Sequence, residues 1–311
     1  MSNSTLSVQS ISPSAAFDFQ SQFVKVKGHK IHYIEVGEGD PVLFVHGNPT
    51  SSYVYRNVIQ AVAAQSHRRC IALDLLGFGR SDKPNITYSL QVHTDIIAGF
   101  IEQLDLSAVI LVAEDWGGFL GSYVMTQQAD RFESAILMET FLWAMEWEKD
   151  FDPRFKLPFK LMRSPLGFLF TRVFNIMVNK LIPEHCPISD ESLQYYKDSL
   201  PDFASRKAMG AFPNLLPING HPKSSWEMAQ ELQAGLKHID FPVLWLKSDP
   251  GVVVSNVNPC GMERLESLQS ILPQMIVKDF GPGYHFLTEE NPEKVVAFIN
   301  EWITLLNHEQ N

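Results

Sequence analysis

The chemistry of this sequence starts at an aspartate. In Ala113-Glu114-Asp115-Trp116-Gly117-Gly118 a continuous apolar run gives way to a small-x-Asp-x-small pattern and then to a helix-like segment. Such a pattern builds a sharp strand-to-helix elbow that lifts a nucleophile above a sheet, here with Asp where Ser usually stands. Small residues flank it because the turn is tight and the helix packs close behind. An Asp in that place also serves as a plain helix N-cap, so the motif alone leaves both readings open. A second segment, Val45-His46-Gly47-Asn48-Pro49-Thr50, follows another apolar run and can present backbone N–H groups as an oxyanion hole; alone it reads equally as a Gly-Pro turn. A third, Phe280-Gly281-Pro282-Gly283-Tyr284-His285-Phe286, lies near the end of the chain, where the histidine of a nucleophile, acid, histidine order belongs. One of ten histidines is by itself more often structural. The order of the three segments makes His285 the candidate base.

A carboxylate nucleophile sets the mechanism. Asp has an unperturbed pKa near ~3.9, so it is ionised at neutral pH and attacks without a base. Attack on an electrophilic sp³ carbon expels a leaving group and leaves an alkyl ester on Asp115; water activated by His285 then cleaves that ester at its carbonyl carbon. Two residues are placed to orient His285. Glu139 follows the strand after the elbow, and Asp249 follows the next strand but also fits the opening of an Asp-Pro-Gly turn. Glu114, next to the nucleophile, is expected to point to the opposite face of its strand and to bond elsewhere.

The elements that must position these residues are legible as alternating apolar runs and amphipathic stretches. Phe23 to Val26 and Lys30 to Ile34 alternate with period two around Gly28, as in an edge hairpin. The runs Pro41 to Val45, Arg69 to Leu73, Ala108 to Ala113, Ala135 to Met138, Phe241 to Leu246 and Gln274 to Val277 fit strands of a parallel sheet buried on both faces. Helix-like segments at Ser52 to Gln65, Leu90 to Leu104 and Pro292 to Leu306 complete an α/β architecture. The alternation breaks over residues 141–237, where Pro, Phe and Met crowd together, and this stretch is expected to be an inserted helical cap between two parts of the core, 21–140 and 238–311. Residues 1–20, rich in Ser and without Lys or Arg, read as a flexible tail that is not a signal peptide.

Composition narrows the classes. With 45% hydrophobic and 19% charged residues over 311 positions, a large core can form without disulfide or metal. A formal charge of -10 disfavours nucleic acid and anionic membrane and directs attention to a small-molecule ligand. The odd set Cys70, Cys186 and Cys260 has no metal-ligand spacing and fits a reducing, cytoplasmic compartment. No apolar run reaches the roughly 20 residues of a membrane-spanning helix, so a soluble protein is expected.

Taken together, His46 to Ser52, Asp74-Leu75-Leu76-Gly77-Phe78-Gly79-Arg80-Ser81-Asp82-Lys83-Pro84, Asp115 to Gly118 and Gly283 to Phe286 resemble the haloalkane dehalogenases, from Phe23 to the closing helix and most weakly in the cap. The resemblance implies an α/β-hydrolase fold with a helical cap, no cofactor, and hydrolysis of haloalkanes to a primary alcohol, halide and proton. It further implies that the Asn48 and Trp116 N–H groups receive the halide. The His-Gly-Asn-Pro-Thr and Met-Glu patterns are similar to the subgroup whose acid is Glu139. Phe212, Pro213 and Leu216 are similar to the family's cavity-lining cap motif; Phe151, Phe168, Phe286 and Leu287 are weaker pocket candidates. Glu114 departs from the pattern, where many relatives carry His or Gln. Three rivals stay open. An epoxide hydrolase would use cap tyrosines such as Tyr195 and Tyr196, a coelenterazine luciferase-like monooxygenase shares a segment like Ser248 to Gly251, and a ligand-binding receptor would keep the fold for recognition alone.

Overall fold

The architecture is that of a computed structural model, which describes residues 13–151, 153–254 and 259–309. Eight strands form one sheet: β1 (Gln22–Val26), β2 (His29–Val36), β3 (Pro41–Val45), β4 (Arg69–Leu73), β5 (Val109–Glu114), β6 (Phe132–Met138), β7 (Val243–Pro250) and β8 (Met275–Gly283). Their order across the sheet is β1-β2-β4-β3-β5-β6-β7-β8, antiparallel at the β1-β2-β4 edge and parallel from there on. The edge hairpin is thus where the period-two pattern places it.

The helices follow in chain order: α1 (Ile59–Ser66), α2 (Leu90–Gln103), α3 (Asp115–Gln127), α4 (Pro153–Met162), α5 (Ile182–His185), α6 (Asp190–Ser199), α7 (Lys207–Leu215), α8 (Lys223–Leu236), α9 (Pro259–Ile271), α10 (Leu287–Glu290) and α11 (Pro292–Glu309). A 3₁₀ turn, Ser52–Tyr55, precedes α1 and is capped by the Ser51 hydroxyl. Helices α4 to α8 stand between β6 and β7, in the stretch where the strand alternation breaks.

Both faces of the parallel strands are buried, which explains their unbroken apolar runs. Val109, Leu111 and Ala113 of β5 pack on the side of α2, α3 and the inserted helices, whereas Ile110 and Val112 face α1 and α11. No described helix is long and apolar enough to cross a membrane. Of the expected flexible tail, residues 1–12 lie outside the described residues, and Phe17 and Phe19 of the rest lie against the core. Phe17 packs edge-on against Tyr53 and Tyr195, and the carbonyls of Ser14 and Ala15 accept hydrogen bonds from Arg56 and Tyr53. Two aromatic residues, Phe17 and Phe19, outweigh the polar composition around them.

Candidate active site

Register brings the candidate residues to one edge of the sheet. Val45 of β3 lies beside Ala113 of β5, and Glu114 beside Met138 of β6, so the next residues along each chain, the Gly47–Asn48 loop, Asp115 and Glu139, emerge side by side at the carboxyl ends of the strands. In an open α/β sheet this is the end at which ligands bind. β8 continues past the core, pairing Gly283 with Pro250, and carries His285 back over β6 and β7.

Asp115 has φ +50° and Glu139 φ +42°, in the left-handed region that costs a non-glycine residue on the order of 1–3 kcal/mol. Both turns are over-determined by what surrounds them. The Thr140 hydroxyl donates to the Asp115 carbonyl at 2.6 Å. A Cβ at Gly117 would collide with the Val45 carbonyl, and one at Gly47 would collide with the Asp115 carboxylate, so both positions demand glycine by close approach. The small residues around Asp115 are therefore a packing requirement.

His285 bridges the two carboxylates. Its Nε2 lies 3.1 Å from Asp115 Oδ2, and its Nδ1 lies 3.5 Å from Glu139 Oε2, a charge contact longer than the formed hydrogen bond the motif leads one to expect. Glu139 is 1% exposed and accepts from the Ser248 hydroxyl at 2.6 Å and the Val252 and Val253 N–H groups at 2.8 and 3.1 Å, which hold its carboxylate in place. Asp249, the alternative acid, is exposed and makes no contact with His285. Burial pulls the imidazole pKa down, but the hydrogen bonds to Asp115 and Glu139 and their charges overcome it and push it up to about 10. Both carboxylates thus favour the protonated form of the imidazole.

The Asn48 N–H donates to Asp115 Oδ1 at 2.8 Å, as an oxyanion-hole donor must. The Asn48 side-chain amide reaches the Met209 carbonyl of α7 at 3.4 Å, near the limit of a hydrogen bond, and its Oδ1 is buried without a partner. Trp116 is packed among Phe119, Phe141 and Phe212, ring centroids 6.0, 5.1 and 4.9 Å away, and its indole N–H has no hydrogen-bond partner among the described residues. Phe212 therefore touches a site residue directly. Pro213 and Leu216 are buried nearby, with their carbonyls held by Arg163 at 2.6 and 3.0 Å.

Two weaker pocket candidates are displaced. Phe168 is 42% exposed and packs edge-on against Phe203, and Leu287 is buried in the cluster with α1 and α11, because α10 lies against that side of the sheet. Several positioning groups escaped the sequence reading. Glu290 accepts the Tyr284, His285 and Phe286 N–H groups at 2.8, 2.9 and 2.9 Å and so fixes the histidine loop. His46 accepts from the Leu75 N–H at 2.9 Å, and Asp74 accepts from Ser52, Arg80 and His32, each at 2.7 Å, so the segment Asp74 to Pro84 braces the Gly47–Asn48 loop.

Comparison with known proteins gives the family. A family model of the alpha/beta hydrolase fold matches residues 40–292. A haloalkane dehalogenase of Agrobacterium fabrum is 31% identical over 298 residues, covering 94% of this chain and 95% of that relative. A haloalkane dehalogenase of Mesorhizobium japonicum is 32% identical over 277 residues, covering 87% of each chain. The crystal structure of the haloalkane dehalogenase DatA from Agrobacterium tumefaciens superposes with a TM-score of 0.86 at 30% identity, covering 95% of this chain and 100% of that one. The chain belongs to the haloalkane dehalogenase family of α/β hydrolases.

Proposed function

We propose that the protein hydrolyses the carbon–halogen bond of small haloalkanes, with Asp115 as nucleophile, His285 as base, Glu139 as its acid partner, and Asn48 and Trp116 as halide donors. The observation that carries this division of roles is the contact of 3.1 Å between His285 Nε2 and Asp115 Oδ2, on a carboxylate whose other oxygen meets the Asn48 N–H.

An Asp115 oxygen attacks the halogen-bearing carbon, the carbon–halogen bond breaks, and the halide leaves with the bonding pair. Asp115 becomes a neutral ester. One of the two carboxylates that hold the His285 proton has then lost its charge, so the imidazole releases that proton to solvent, the proton of the overall reaction, and becomes a base. Water gives a proton to His285 Nε2 as its oxygen bonds to the ester carbon, and the Asn48 N–H steadies the resulting oxyanion. Collapse breaks the bond to the alkoxide, which takes that proton from His285, and the Asp115 carboxylic acid left behind passes its own proton to the imidazole, restoring the starting pair. The first half-reaction thus switches on the base for the second.

The epoxide reading loses support from the cap tyrosines. Tyr196 is fully buried and donates to Glu289 at 2.6 Å, and Tyr195 is stacked on Tyr53 with centroids 3.8 Å apart. A cytoplasmic address fits the unpaired Cys70, Cys186 and Cys260. Bromide release from 1,2-dibromoethane tests the activity. Mass spectrometry of His285→Phe after substrate exposure should find the alkyl ester on Asp115, and Asp115→Ala should form none; a His285→Phe protein that binds substrate yet carries no adduct would refute the assignment.

A further inference from the structure

Of the carboxylates beside the site, the buried Glu139 and Glu289 and the half-buried Asp115 have donors that match their charge. Glu139 receives a hydroxyl and two N–H groups, Glu289 receives both terminal nitrogens of Arg56 and the Tyr196 hydroxyl, and Asp115 receives the Asn48 N–H and faces His285. Glu114 is the exception. It is 2% exposed, and the only side-chain donor it meets among the described residues is the Thr288 hydroxyl, at 3.3 Å. It follows Ile110 and Val112 along the same face of β5, and Met138 stands beside it on β6, so the strand face that carries it is apolar. An ionised carboxylate with a single long hydroxyl contact in such a place is costly, which favours the neutral acid.

We propose that Glu114 is carried as a neutral carboxylic acid behind the nucleophile and acts as a positioning residue for the His285 proton, so that ionising it slows ester hydrolysis. The inference rests on the assignment of Asp115 and His285 made above. The groups that face Glu114 are His285 from the loop after β8, Asp115 at the start of α3, Glu289 from α10, Tyr55 from the turn before α1, Tyr196 from α6, and Cys186 after α5. Burial raises both tyrosine hydroxyls and the thiol, which stay protonated, and Glu289 is neutralised by Arg56. Burial also lifts Glu114 to about 8; the His285 charge opposes the rise and those of Asp115 and Glu289 add to it.

The consequence falls on the second half-reaction. Esterification of Asp115 frees the His285 proton because it removes a neighbouring negative charge. A carboxylate at Glu114 restores that charge and raises the imidazole pKa again, so that at a given pH less of the base is free to take a proton from water. It also stands beside the oxyanion that forms on Asp115, a like-charge contact that raises the barrier. A neutral Glu114 avoids both effects.

The test is the single-turnover rate of alkyl-ester hydrolysis on either side of pH 8, followed by quenching and mass spectrometry, in the wild type and in Glu114→Gln. The wild-type rate should fall by about tenfold through that pH, the effect on the oxyanion of a like-charge contact worth one pKa unit, and Glu114→Gln should lack the alkaline limb. Infrared spectra should show a neutral-carboxyl band that is lost from the wild type as pH rises through 8 and is absent from Glu114→Gln; if that variant does not fold, the wild-type titration decides alone. Superimposable rate profiles, or no neutral-carboxyl band titrating there, would overturn the inference. Failure of the underlying assignment looks different, since no ester would then form on Asp115 at any pH.

Discussion

Arg56 holds the carboxylate of Glu289 with both terminal nitrogens, at 2.6 and 2.8 Å, where the two side chains are only 2% and 3% exposed. The Tyr196 hydroxyl shares that carboxylate, and Ser192 of the same helix accepts from Arg56 at 3.0 Å. The pair thus ties α6 of the insertion to the turn before α1 and to α10, just beyond His285. Removing one partner leaves the other charge buried and alone, so Arg56→Met should cost about 3–5 kcal/mol of stability. Arg56→Met combined with Glu289→Leu should recover most of the loss. Urea denaturation of the two variants checks this, and a single variant as stable as the wild type would show that the pair carries no such burden.

The proposed halide donors make a prediction about rate rather than stability. Three aromatic neighbours fix the Trp116 ring, and its N–H is free of partners among the described residues, so a leaving halide meets a donor already in place. If each donor contributes what one oxyanion-hole donor does, Trp116→Phe and Asn48→Ala should each cost about a hundredfold in kcat. KM should change less, because halogen bound to carbon carries little negative charge. Steady-state bromide release measures both constants, and full turnover in both variants would remove Asn48 and Trp116 from the site.

How much of this was legible in the sequence depended on whether a residue's reason for being there was local. The apolar runs Pro41 to Val45 and Arg69 to Leu73 coincide with β3 and β4 because those strands are buried on both faces along their length. β7 and β8 run past their apolar stretches, to Pro250 and Gly283, because their pairing continues beyond the core at the end where the site is built. Asp115, Glu139 and His285 could be found because each follows a strand in a fixed order. The bond from Ser248 to Glu139 spans 109 residues and that from Val252 spans 113, and no periodicity announces such partners. The hold of Glu290 on the histidine loop was closer in sequence, but an acidic pair at a short helix start reads simply as a favourable charge.

His93 offers a test of stability against pH. It is fully buried on α2, neither ring nitrogen has a hydrogen-bond partner, and the ring stacks on Phe212 at 4.8 Å and on Tyr88 at 5.8 Å. Burial, and then the proximity of His46, lowers its pKa from 6.5 to about 3. The folded protein therefore keeps His93 neutral where the unfolded chain takes up a proton. The sign follows: this contribution is complete above pH 6.5 and is lost as pH falls toward 3, by at most about 1.4 kcal/mol per unit. At about pH 5 the loss should be about 2 kcal/mol. His93→Phe keeps a ring in the stack and removes both the titration and the two unpartnered nitrogens, so it should be at least as stable as the wild type at neutral pH and lose about 2 kcal/mol less on acidification. Denaturant midpoints at the two pH values measure the difference; parallel losses in the two proteins would place the acid sensitivity in some other group.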